Sequence, residues 1–177
     1  MRTSISALLL LILVVPPAGS VDAAHDFDSQ IGTWRTTLRR LKDPLSGSIT
    51  WLEYQGTTAT RAVMDGRANL VELRVAGAAG KIEALSLRLY DPTKEQWSLN
   101  YANLADGSLA TPSVGRFTNG RGEFYSQEKF RGRPVRVRFV IQPESRDVIH
   151  FEQAFSVDDG RNWEVNWIAT DTRVRNQ

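Results

Sequence analysis

Gly122-Glu123-Phe124-Tyr125-Ser126-Gln127-Glu128-Lys129-Phe130, followed across Arg131-Gly132-Arg133 by Pro134-Val135-Arg136-Val137-Arg138-Phe139-Val140-Ile141-Gln142, is the stretch whose reading decides the fold. Apolar and polar residues alternate on both sides of Arg131-Gly132, as in two antiparallel strands with one face buried. A tight turn there sets Ser126 opposite Val137, Phe124 opposite Phe139 and Glu128 opposite Val135. Arg136 and Arg138 then lie on the outer face, together with Glu123 beside Arg116 of the preceding strand.

The same grammar extends outward in both directions. Strands are expected at 33–42, 49–55, 58–64, 69–75, 82–90, 96–104, 113–118, 122–130, 134–142, 147–156 and 163–172. Asn119-Gly120 is a strong hairpin signal because both residues tolerate positive φ, and Asp91-Pro92 starts a turn by fixing φ at the proline. No stretch carries a convincing helical period. Sequential hairpins favour an up-and-down meander, and closing it removes the exposed edges. The expected fold is all-β, a single antiparallel up-and-down barrel of about ten strands.

Register can be carried to the C-terminus. If 158–161 is a four-residue loop, Glu152 lies opposite Trp167, Ala154 opposite Val165 and Ser156 opposite Trp163. If 142–147 is a six-residue connection, Val137 faces Glu152, Phe139 faces His150 and Ile141 faces Val148. One face then collects Phe124, Val135, Val137, Phe139, Ile141, Val148, Ala154, Trp163, Val165 and Trp167, with Ser126, Glu128, His150 and Glu152 as polar groups among them. Ile149, Phe151, Phe155 and Ile168 point outward in this reading, which suggests a covering segment or a homodimer contact.

The N-terminus has the layout of a secretory signal peptide. Arg2 supplies a positive start, 8–15 is an apolar run too short to span a bilayer, and Pro16-Pro17 precedes small residues with cleavage expected after Ser20 or Ala23. Residues 1–23 are assigned to the signal and 24–177 to the barrel, which is expected to be periplasmic or secreted, with no stable membrane insertion after cleavage. The 177-residue chain contains no cysteine, which excludes disulfides, thiolate metal sites and lipid attachment through cysteine. Its net charge is only +2, and the Arg131, Arg133, Arg136 and Arg138 cluster reads as the solvent face of a strand; nucleic-acid binding is not expected. No metal or cofactor motif is present, so none is assigned.

Two short motifs add structure. Ser156-Val157-Asp158-Asp159-Gly160-Arg161-Asn162-Trp163 resembles the Asp-box of sialidase-type propellers, a structural hairpin in that family. Here it occurs once, in a chain too short for a propeller, so Asp158 is expected to accept backbone N–H bonds, Gly160 to supply unusual φ, and Trp163 to cover the loop. Phe27-Asp28-x-x-Ile31-Gly32-Thr33-Trp34 resembles the start of lipocalins and the wider calycin superfamily. That resemblance implies that Trp34 closes the barrel floor and stacks beneath an arginine near the end of the last strand, for which Arg173 is the match.

More closely, the mature chain is similar to a bacterial family of secreted, lipocalin-like domains with no assigned function. The resemblance is carried by 31–34, by Leu87-Arg88-Leu89-Tyr90-Asp91-Pro92 with Trp97-Ser98, by Val114-Gly115-Arg116-Phe117 with 122–125, and by Phe151-Glu152-Gln153-Ala154-Phe155-Ser156 running into Trp163-Glu164 and Asn166-Trp167. It implies a calycin-type barrel and leaves activity open. Haem-binding relatives in the superfamily use a proximal histidine, for which His150 is the barrel candidate.

Three function classes remain. The first is a binding protein for a small apolar or amphipathic molecule, with Glu152, His150, Glu128, Trp97, Tyr101 and Trp167 as ligand-binding candidates and Trp163 also lining the cavity. The second is an acid–base enzyme, a hydrolase, isomerase or lyase, in which Glu152 moves a proton with His150 or Glu128; no catalytic residue is otherwise marked. The third is an envelope assembly protein without ligand, working through an outer patch that includes Phe151 and Phe155.

Overall fold

A computed structural model describes residues 23–175. The expected signal peptide lies outside the described residues, apart from Ala23 at their edge. Asp28–Gln30 form a single 3-10 turn, and the rest is strand and loop. The strands are β1 (Gly32–Leu41), β2 (Trp51–Val63), β3 (Ala68–Gly77), β4 (Gly80–Asp91), β5 (Gln96–Asn103), β6 (Ser108–Leu109), β7 (Ser113–Thr118), β8 (Arg121–Phe130), β9 (Arg133–Ser145), β10 (Val148–Ser156) and β11 (Glu164–Arg173). Each pairs antiparallel with its neighbours; β1 closes on β11 and β4 on β5, while the two-residue β6 adds to the end of β5. The result is the closed ten-stranded up-and-down barrel that the meander implied.

Two of the hairpins have backbones that leave no freedom of register. Asn119 and Gly120 have φ of 51° and 76°, and Arg131 and Gly132 have 49° and 79°, so both are two-residue turns with paired positive φ. Accordingly Phe124 pairs with Phe139, Ser126 with Val137, Glu128 with Val135 and Arg116 with Glu123, as the alternation indicates.

Three departures follow, each with a local cause. The strands expected on either side of Gly56 are one strand, β2, running straight through it. Gly56 is a point of close approach: a Cβ there would lie 2.0 Å from the Arg74 carbonyl oxygen on β3. The second departure is at 142–147, which is not a six-residue connection. Strand β9 continues to Ser145 and absorbs Pro143 beside a bulge, so Pro143 pairs with Ile149 and Val148 with Ser145. The register therefore moves by an odd number of residues: Val137 pairs with Phe155, Phe139 with Gln153 and Ile141 with Phe151.

The third departure is a second bulge, at Asn166, where Ala154 pairs with Val165 but Gln153 pairs with Trp167 and Glu152 with Ile168. Ala154–Val165 thus stands as expected, and the pairing beyond it slips by one. The three-residue shift and the one-residue slip are both odd, so their effects on parity cancel at Trp167, which shares the lumen with Phe139, but not on β10. Ile149, Phe151 and Phe155 are inside and buried, and the outer patch anticipated around Phe151 and Phe155 does not exist.

The core sits toward one end of the barrel. Phe27, fully buried, presses its ring edge-on against Trp97 (4.9 Å between centroids) and Phe117 (5.1 Å), and stacks near Phe124 (6.0 Å). Two indoles tie this N-terminal segment down: Trp34 Nε1 donates to Gln30 O at 2.9 Å and Trp97 Nε1 to Ala23 O at 2.8 Å. Arg173 lies over the Trp34 ring at 4.0 Å and donates to the carbonyls of Ser29 (2.5 Å), Ile31 (3.0 Å) and Arg146 (3.2 Å). Residues 23–31 are thereby a plug, and this end of the barrel is closed.

Candidate functional site

Above the plug lies a cavity of about 570 Å3, within the range of small-molecule sites. Period-two alternation brings one row of side chains from each strand into it. Its wall is largely apolar: Leu38 from β1, Val71 and Leu73 from β3, Ala84 from β4, Leu99 from β5, Phe139, Phe151 and Phe155 from β9 and β10, and Trp167 and Ala169 from β11. It is interrupted by Gln153 and Asn166, where Gln153 Nε2 donates to Asn166 Oδ1 at 2.9 Å. At the open end the lining includes the exposed Arg40, Lys42, Ser108, Thr111 and Arg131.

The closed end is polar. Asp171 is 3% exposed and Arg88 5%. Thr36 Oγ1 donates to Asp171 Oδ1 at 2.6 Å and lies 2.7 Å from Thr58 Oγ1. Burial pushes the Asp171 carboxyl up from 3.8 to about 6, against the hydrogen bonds of Thr36 and Thr58 and the positive field of Arg88. The Arg88 guanidinium sits 4.2 Å above the Phe27 ring and donates from Nη1 to Gln30 Oε1 at 2.8 Å. Burial lowers it to about 9, so it keeps its charge at neutral pH. Arg88 Nε, Gln30 Nε2, both polar atoms of the Asn69 amide and Tyr90 OH are buried without a hydrogen-bond partner.

The residues singled out from the sequence divide between lumen and exterior. Glu128, Tyr101 and Trp167 line the cavity. A chain of hydroxyls leads to Glu128, Ser113 Oγ donating to Ser126 Oγ (3.2 Å) and Ser126 Oγ to Glu128 Oε1 (3.1 Å). Burial raises the Tyr101 phenol above its usual range, while the nearby Arg40 pulls it the other way. Trp97 lies beneath the cavity, against the plug.

Glu152, His150 and Trp163 are corrected. The register shift at Pro143 turns Glu152 and His150 outward, opposite Val140 and Gln142. Glu152 accepts from Arg138 Nη2 at 3.3 Å, and His150 Nδ1 lies 3.4 Å from Thr170 Oγ1. The acid–base reading that placed Glu152 in the lumen loses its residue, and His150 does not face the cavity in which a haem would sit. Trp163 is outside as well, with the Arg138 guanidinium 4.7 Å from its ring. It belongs to the 156–163 hairpin, where Asp158 Oδ1 accepts from the Asn162 backbone N–H (2.9 Å) and from Ser156 Oγ (2.8 Å). These bonds hold the Asp158 carboxyl down to about 2, and Gly160 has a φ of 87°.

Arg88 and Asp171 are the site residues that sequence reading missed. Arg88 stands between Leu87 and Leu89, and simple alternation would bury the leucines; instead these are 37% and 42% exposed. Asp171 had a usable signal. Once Arg173 is matched to Trp34, residues 171, 169 and 167 must share its face. Among the described residues no group of histidine, aspartate and glutamate is arranged to hold a metal ion, and no helix is long and apolar enough to cross a membrane.

Comparison with protein-family models and with curated proteins finds no match. Among solved structures the chain is similar to an S-type phycobiliprotein lyase from Guillardia theta, with a TM-score of 0.62 at 10% identity over 88% of this chain and 94% of that one. It also aligns with a redesigned β barrel bound to DFHBI (TM-score 0.46, 12% identity, 82% of this chain and 99% of that one). A de novo designed fluorescence-activating β barrel aligns too (TM-score 0.44, 16% identity, 87% and 99%). At such identities the likeness is one of fold. The molecule is a closed ten-stranded antiparallel up-and-down β-barrel.

Proposed function

We propose that this protein binds a small amphipathic molecule inside its barrel and works as an exported carrier or scavenger. The observation that carries the reading is the cavity itself: about 570 Å3, with a largely apolar wall broken by Gln153 and Asn166, and with polar groups at its closed end and rim. A fully packed barrel would fill that volume with side chains. The ligand-free assembly role has lost the outward Phe151 and Phe155 on which it rested.

Titration with the apolar fluorophore N-phenyl-1-naphthylamine tests this. The wild type is expected to give a saturable rise in probe emission. Ala84→Trp, which replaces a methyl group of the cavity wall by an indole, is expected to weaken it at least about tenfold with the far-ultraviolet circular dichroism unchanged. If the probe shows no saturable signal, or Ala84→Trp binds it like wild type, the carrier reading is wrong.

Export is part of the same proposal, resting on the 1–23 segment. A cut after Ser20 keeps Ala23, whose carbonyl accepts the Trp97 indole; a cut after Ala23 removes that acceptor. We therefore expect the exported protein to begin at Val21. An intact mass corresponding to Ala24 at the N-terminus would overturn that choice, and retention of 1–23 would overturn export.

A further inference from the structure

We infer that Arg88 is an anion-receiving group: the ligand carries one terminal oxyanion, a carboxylate or a phosphate monoester, and enters the barrel head-first. This rests on the cavity being a ligand site. The inference starts from what surrounds the guanidinium. Arg88 lines the cavity, yet it is 5% exposed and therefore nine-tenths removed from solvent. A buried cation needs either a contacting anion or a full set of acceptors. Arg88 has one neutral acceptor, Gln30 Oε1, and one aromatic face, Phe27, while its Nε has no partner. Among the described residues no ion pair joins it to a carboxylate.

Asp171 does not fill that place. Its carboxylate is engaged by the Thr36 and Thr58 hydroxyls, and the field of Arg88 is too weak to offset the burial of its charge. The floor therefore has a fixed cation with donor capacity to spare, beside a carboxylate that is bonded to Thr36 and Thr58 and makes no ion pair with it. The guanidinium is held in place before any ligand arrives, by the plug on one side and the strand on the other. That preorganisation suits a planar oxyanion, which a fork of N–H donors recognises better than it does a hydroxyl. With the head on Arg88, an alkyl tail runs toward the mouth along Leu99, Leu38, Phe151 and Trp167.

Displacement of N-phenyl-1-naphthylamine by decanoate, decyl phosphate and decan-1-ol tests the inference. Wild-type protein is expected to prefer decanoate or decyl phosphate over the alcohol by at least about tenfold; the two anions separate a carboxylate site from a phosphate site. Arg88→Gln is expected to remove that preference with decan-1-ol unchanged, and Arg88→Lys to keep part of it. The double rim variant Arg40→Gln/Lys42→Gln is expected to leave it intact. Equal binding of acid and alcohol by the wild type overturns the inference, as does loss of the preference in the rim variant, which would put the head at the mouth. If Arg88→Gln weakens alcohol and anion alike, Arg88 serves only the plug. The wild-type and rim comparisons decide the matter even if Arg88→Gln does not fold. A wild type to which neither the fluorophore nor any decyl compound binds defeats the carrier reading itself, a different outcome from equal binding.

Discussion

Arg173→Ala is expected to destabilise the protein by about 3 kcal/mol or more, seen as a melting temperature lower by about 6–12 °C for a domain of this size. The side chain makes charge-assisted hydrogen bonds to the carbonyls of Ser29, Ile31 and Arg146, covers the Trp34 ring at 4.0 Å and lies 3.5 Å from Asp147. These contacts join three separate pieces of chain: the N-terminal plug, the start of β1 and the β9–β10 turn. Alanine removes them together and leaves carbonyls and an indole face without their cover. Arg173→Lys keeps the charge but lacks the planar fork that reaches three acceptors, so it is expected to recover less than half of the loss. The plug also holds Phe27 and Gln30 beneath Arg88, and loosening it is expected to weaken ligand binding as well. Chemical denaturation of the three proteins reads this directly. A melting temperature for Arg173→Ala within about 2 °C of wild type would show that the plug does not depend on this clamp.

Asp171→Asn is expected to gain stability relative to wild type by about 3 kcal/mol as pH rises from about 3 to about 8. Burial raises the folded pKa of Asp171 to about 6 from 3.8, so the folded state holds this proton more tightly than the unfolded chain. The stabilising contribution is intact below 3.8, falls away as pH climbs toward 6, and above that the buried carboxylate is a net cost. Asparagine has no proton to lose, and its carbonyl still accepts from Thr36. Asp158 works in the opposite sense: held down to about 2, it stabilises above 3.8 and loses that effect as pH falls through 2, but it does so in both proteins and cancels from the comparison. Urea midpoints for wild type and variant across this range would diverge with rising pH. Parallel curves would mean that Asp171 is as well solvated as an ordinary surface carboxyl. An anion on Arg88 meets less repulsion in the same variant, so decanoate affinity is expected to increase with it at neutral pH.

How much of this was legible before folding depends on the turn involved. Where the loop was two residues of paired positive φ, as at Asn119-Gly120 and Arg131-Gly132, the pairing of β7, β8 and β9 followed from alternation alone. Where a strand ran on through a residue that normally ends strands, the reading failed. Pro143 looks like a connection but sits beside a bulge inside β9, and Gly56 looks like a turn but sits in the middle of β2. A bulge adds one residue and exchanges the two faces of everything beyond it, so Glu152 and His150 moved out of the lumen while Phe151 and Phe155 moved in.

The sequence by itself determined the all-β class, the order of the hairpins and the closure into a barrel, because these rest on local alternation and turn chemistry. Only the tertiary structure decided which polar side chains meet the cavity. Two bulges, one beside Pro143 and one at Asn166, set the parity of β10 and β11. Arg88 is drawn inward by Gln30 and Phe27, far from it in sequence, against the preference of the leucines on either side.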